Sequence, residues 1–224
     1  MNGFILQTSL FIGIIPALIL LYIGLRGFEG HFKDKLIFLT FIVGIVIGTA
    51  SVAIEYFTQN IGFFFIILFP ILEQLFKTIV LNLGRFQEKQ ETTIYGFSLG
   101  LGFGSVFIPA AIMRLDTIDL TFIAAIIGSL GILLVHAATG ILIGYGVYIH
   151  KLPKYLTFAI LLHFVITAVI GFTSNTSVSY LQTALIVYGI IVFIYATKKV
   201  MPRILQESQR RKRTQKEINI KSSK

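Results

Sequence analysis

Runs of roughly 20 apolar residues follow one another along almost the whole chain, separated by short polar stretches. An α-helix rises about 1.5 Å per residue, so each run is long enough to cross a hydrocarbon core about 30 Å thick. Within lipid every backbone N–H and C=O has to be satisfied by the chain itself, which leaves helices and closed barrels. A barrel would show short segments of alternating hydropathy, and none occur. Composition agrees: 55% of residues are hydrophobic, 13% are charged and the mean hydropathy is +0.86. A soluble domain of that composition would expose large apolar patches. The expected fold is therefore all-α, a polytopic membrane helical bundle of about seven transmembrane helices. Spans are expected near Phe4 to Leu25, Leu36 to Phe57, Ile61 to Leu83, Ile94 to Met113, Thr121 to His150, Tyr155 to Thr173 and Tyr180 to Thr197. Residues 1–199 form the transmembrane domain and 200–224 a basic cytoplasmic tail.

The net charge of +9 belongs mostly to that tail. From Lys198 onward there are ten Lys or Arg against Glu207 and Glu217, which places eight of the nine net charges there. Charge so placed marks a membrane flank in contact with anionic lipid rather than a nucleic-acid surface. The loops tell the same story. Arg26, Lys33 and Lys35, then Arg85 and Lys89, then Lys151 and Lys154 lie on the side of the tail, whereas the opposite side holds only Arg114. The positive-inside rule puts the tail in the cytoplasm and the amino terminus outside an integral, multi-pass protein. The first apolar run has no Lys or Arg before it and no small-residue cleavage site, so it reads as a retained helix rather than a signal peptide. With no cysteine, disulfides, thiolate nucleophiles and zinc ribbons are excluded.

Four titratable side chains fall well inside the apolar runs: Glu73 and Lys77 on the third, His136 on the fifth and His163 on the sixth. Each is costly there, at roughly 2.5 to 3.5 kcal/mol for a central charge, so such groups face the bundle interior and have partners. Depth decides whether they can meet. Glu73 lies about 16 Å and His163 about 15 Å from the cytoplasmic ends of their helices; His136 lies about 21 Å in, on a span long enough to tilt. Spans five and six form a hairpin about Leu152 and Pro153, so the histidines sit on adjacent antiparallel helices. Glu73 and Lys77, four residues apart, share one helix face, which fits either an internal ion pair or a carboxylate kept ionised for metal binding or base catalysis. Glu55, near the outer end of its span, is given no role.

The fourth span reads YGFSLGLGFGSV from Tyr95 to Val106. Gly96, Gly100, Gly102 and Gly104 allow close backbone approach, which serves helix packing or a groove for substrate. Gly140, Gly144 and Gly146 offer the same two uses. No strand precedes either run, so a phosphate-binding glycine loop is disfavoured.

The segments EQLFK at Glu73 to Lys77, GLGFG at Gly100 to Gly104, HAATGILIGYG from His136, and LLH ending at His163 resemble, in order and spacing, the PrsW family of intramembrane proteases, relatives of the CAAX-protease and bacteriocin-processing group. The likeness covers spans three to six. It implies a metal-dependent endopeptidase acting on a transmembrane or membrane-adjacent protein. Glu73, His136 and His163 match the catalytic and metal-binding acid and histidines; Lys77, Gln74, Gly102 and Gly104 fall at supporting positions. Two acids of the family pattern are replaced, by Gln74 and by Phe107. Glutamine cannot ionise and phenylalanine can neither ionise nor accept a hydrogen bond. One carboxylate and two imidazoles still suffice for a divalent metal such as zinc with an open position, but a separate base is then lacking. Two functions stay open on this reading: an active intramembrane protease, and a protein of the same fold that binds or regulates a membrane partner without catalysis. A small proton-coupled transporter is a third, weakened by the absence of internal repeats.

Overall fold

The computed structural model describes residues 3–58, 63–87, 89–113, 115, 120–173 and 179–205. They form α1 (Gly3–Leu25), α2 (Asp34–Thr58), α3 (Phe63–Leu81), α4 (Thr92–Ser105), α5 (Phe107–Ile112), α6 (Leu120–Tyr148), α7 (Leu152–Thr173) and α8 (Ala184–Tyr195). A 3₁₀ turn at Ser179–Thr183 leads into α8, and a π turn at Ala196–Val200 follows it. Six helical segments among the described residues are long and apolar enough to cross a bilayer, the third being α4 with α5 and the sixth running from Leu181 to Leu205. The expected first span is also helical, and its Phe11–Leu25 portion is apolar. The all-α membrane fold is thus as the hydropathy requires. Packing continues past residue 199, because Val200, Met201 and Ile204 are buried in the core. Most of the basic tail, residues 206–224, lies outside the described residues, as does Arg114.

At the centre lies α4, every residue of which is buried. Its glycines explain how one helix can be enclosed by others. Gly96, Gly100 and Gly104 face α6: a Cβ on Gly100 would lie 2.9 Å from the Ala137 Cα, and one on Gly104 would lie 3.1 Å from the His136 Cβ. Gly102 faces α2, where its missing side chain makes room for the Phe41 carbonyl. Gly140 and Gly144 return the contact from α6, and Gly146 lies against Tyr155 of α7. These glycines therefore serve helix packing, the driving force left to helices once lipid removes the hydrophobic one.

Three prolines shape the bundle. Pro109 has no N–H to offer the Ser105 carbonyl, and the fourth span breaks at Val106 into α4 and α5. Pro70, inside α3, likewise frees the Ile66 carbonyl. That carbonyl accepts a hydrogen bond of 3.1 Å from Thr167 Oγ1 on α7, so a helix defect becomes an interhelical staple. At the α6–α7 hairpin His150 takes a left-handed conformation (φ 58°), Lys151 N–H donates to the Gly146 carbonyl and His150 N–H to that of Val147. This is a Schellman cap, after which Pro153 opens α7.

Candidate metal centre

Helix α3 is built with its polar side inward. Glu73, Gln74, Lys77 and Thr78 are buried together with Ile66, Phe69, Pro70 and Leu81, while Phe63, Phe64, Ile67, Leu68, Leu75 and Ile79 are exposed on the opposite face. Lipid on one side and the bundle on the other impose that orientation. Helix α6 contributes His136 and α7 contributes His163, both buried. From the ends of α3, α6 and α7 that share one side, the three residues lie about 12, 18 and 16 Å deep, and the helices cross so that the side chains meet.

The donor atoms of Glu73, His136 and His163 all lie within 4.8 Å of one another. Glu73 Oε2 is 3.0 Å from His163 Nδ1 and 3.9 Å from His136 Nε2. The imidazole rings approach edge to face, with centroids 4.8 Å apart. The short Glu73–His163 approach is one of proximity and not a hydrogen bond: Glu73 Oε2 has no hydrogen-bond partner, and neither has His136 Nε2.

Each member is held from behind. Ser51 Oγ on α2 donates to Glu73 Oε1 over 2.8 Å. Gln74 Nε2 lies 2.9 Å from His163 Nδ1. Lys77 Nζ lies 3.1 Å from His136 Nδ1 and donates to Thr139 Oγ1 over 2.8 Å. Phe107 stacks on the His136 ring, with centroids 4.8 Å apart, and Phe103 covers it from another side, beneath the Lys77 ammonium. The internal Glu73–Lys77 ion pair is not what forms. Lys77 reaches across to α6, where its Nζ lies beside His136 Nδ1 and donates to Thr139 Oγ1, and Glu73 turns to α2 and α7. Of the expected supporting residues, Lys77 and Gln74 touch the histidines, Gly104 lets α4 lie against His136, and Gly102 belongs to the α2 contact instead. Ser51, Thr139 and Phe103 escape sequence reading because serine, threonine and phenylalanine are ordinary in membrane helices.

A narrow crevice reaches the centre. It is lined by Phe65, Phe69, Phe107, Ile132, Ile166 and Ile170, with Glu55 and Thr167 among its polar residues and Glu73 and His163 also on its wall. It leaves about 20 Å³ for the centre of a water-sized sphere, room for about one water molecule. Its walls come mainly from α3 and α7, with single residues of α2, α5 and α6, and not from the glycines of α4, which are packed against α2 and α6.

The donor set suits a divalent metal. Two buried polar atoms without partners, Glu73 Oε2 and His136 Nε2, face a common point, and an unpaired buried acceptor is costly unless something positive sits there. The three donor atoms lie close enough together for one ion to reach all of them. One carboxylate with two imidazoles is a donor set that zinc accepts, with a fourth position open. Comparison of the chain with known protein families, characterised proteins and solved structures finds no match.

Proposed function

We propose that this protein is a membrane-embedded, metal-dependent endopeptidase similar to the PrsW family, acting on a transmembrane or membrane-adjacent protein segment. The observation that carries this reading is the convergence of Glu73, His136 and His163, from three separate membrane helices, on one buried point. Glu73 Oε2, His136 Nε2 and His163 would hold the ion. A divalent metal bound there would supply Lewis-acid polarisation of an amide carbonyl and activation of water. The chain's own residues supply the rest. Ser51 fixes the carboxylate, Lys77 and Thr139 fix the His136 ring, and Phe103 and Phe107 exclude water from its faces. The crevice reaches Glu73 and His163 with room for about one water molecule, the co-substrate that hydrolysis needs. Incubating the purified protein in liposomes with membrane-peptide libraries, with and without chelator, tests the proposal. Chelator-sensitive cleavage that disappears in Glu73→Gln is expected; cleavage unaffected by either would refute it.

A second reading is favoured by the two replaced acids. Gln74 bonds His163 and Phe107 stacks on His136, and neither can take a proton from water. A non-catalytic relative that captures a membrane partner fits this arrangement. Under that reading Gln74→Glu with Phe107→Glu leaves partner capture unchanged or weaker and produces no cleavage. Stoichiometric metal in the wild-type protein counts against it.

The proposed orientation has the amino terminus outside. Contacts that gather the basic loops at one end support it: Lys33 N–H donates to the Tyr95 hydroxyl, and the Tyr95 ring packs on Phe86 of the next basic loop.

A further inference from the structure

We propose that Ser51 is the positioning residue that makes Glu73 a one-oxygen metal ligand. The inference rests on the metal-dependent reading above and adds to it a residue from a fourth helix. Ser51 lies on α2, 1% exposed, apart from the helices that carry the three ligating side chains. Its hydroxyl donates to Glu73 Oε1 over 2.8 Å. The other oxygen, Oε2, is buried without a hydrogen-bond partner and is the atom that faces both imidazoles.

The two oxygens of a carboxylate are chemically equivalent, and the torsion that exchanges them is soft. Nothing intrinsic to Glu73 therefore selects which oxygen meets the histidines. A hydroxyl on one side does select it, because in a dry interior turning away from Ser51 leaves an acceptor unpaired. The bond fixes the carboxylate plane and points Oε2 at the common centre. Supporting groups of this kind set how well a metal is held.

The reach of so short a side chain follows from the packing of α2. Ile37, Phe41, Gly44, Gly48 and Ser51 form one buried stripe. Gly44 and Gly48 lie against the α4 backbone from Leu99 to Phe103, where a Cβ would overlap main-chain atoms. Ser51 continues the same stripe one turn past Gly48, and there its hydroxyl meets Glu73 of α3.

Titration of the detergent-solubilised full chain with Co²⁺, against a competing chelator and followed by its visible absorption, tests this. Wild type is expected to bind one Co²⁺ per chain with the bands of a tetrahedral site. Ser51→Ala is expected to bind about 10- to 100-fold more weakly with shifted bands, and Ser51→Thr, which keeps the hydroxyl, to stay close to wild type. Ser51→Val, which matches threonine in shape but lacks the hydroxyl, stands in if Ser51→Ala fails to fold, and is expected to weaken binding as Ser51→Ala does. Ser51→Ala with wild-type affinity and spectrum would overturn the inference while leaving the metal reading intact. So would a variant that melts earlier without its metal yet binds Co²⁺ unchanged, since that is a packing role only. Failure of wild type to bind Co²⁺ would overturn the metal reading, and is seen before any Ser51 variant is measured.

Discussion

A carboxylate in the middle of an apolar helix costs roughly 2.5 to 3.5 kcal/mol on insertion scales, and Glu73 offsets that cost with a hydroxyl on one oxygen and two imidazoles near the other. The neighbouring position sets how strongly the centre attracts a cation. Gln74→Glu places a second carboxylate beside His163, and metal affinity measured by chelator competition is expected to tighten at least about tenfold, roughly 1.4 kcal/mol. Lys77→Met removes the partner of His136 Nδ1 and the donor to Thr139 Oγ1 while keeping most of the stem, so His136 Nδ1 loses its hydrogen bond and Thr139 keeps only the one it makes to the His136 carbonyl. A loss of about 1–3 kcal/mol in unfolding free energy is expected, read by denaturation in mixed micelles. Glu73, Lys77, His136 and His163 were legible because ionisable groups are rare in apolar runs and must face inward. Their pairing was not. Sequence spacing puts Lys77 one turn from Glu73, but a four-carbon stem also spans to α6, and that choice is made only once the helices are packed.

Helices α3 and α7 are joined by a bond that Pro70 makes necessary. Thr167 Oγ1 answers the carbonyl the proline leaves free, sharing its proton with the Phe164 carbonyl at 3.1 Å. Thr167→Val is expected to cost about 1–3 kcal/mol in the wild-type background, and clearly less when Pro70→Ala restores the missing N–H. Equal costs in both backgrounds, measured as a double-mutant cycle of unfolding free energies, would contradict the staple. The α4–α6 crossing admits a sharper contrast. Gly100→Ala drives a Cβ into the α6 backbone at His136 and Ala137, whereas Gly84→Ala meets open space. Thermal unfolding in detergent is expected to show a drop for Gly100→Ala, about 1–3 kcal/mol or more, and almost none for Gly84→Ala. The glycine runs were visible in the sequence, but packing and groove-lining remained equivalent there; burial of all of α4 decides for packing. The break at Val106 was hidden inside an unbroken apolar run, since Pro109 near a helix start is tolerated as readily as one at a kink.

Hydropathy gave the bundle its element order and nearly all its boundaries, because in lipid the backbone has no alternative to long helices. Placement of the centre needed tertiary packing, which brings α2, α3, α6 and α7 together through residues far apart in the chain. The proposed orientation rests on charge, and the chain's lack of cysteine makes it simple to test. Single cysteines at Lys35 and Lys151 are expected to react with a membrane-impermeant maleimide only after the cell is opened; labelling of intact cells would reverse the proposed topology. The proposed function requires that the three side chains hold an ion. Elemental analysis of the purified protein, after loading with zinc and removal of excess, is expected to give one zinc per chain in wild type and close to none in Glu73→Gln, His136→Ala and His163→Ala. Folded wild-type protein without zinc, or variants that retain it in full, would contradict it.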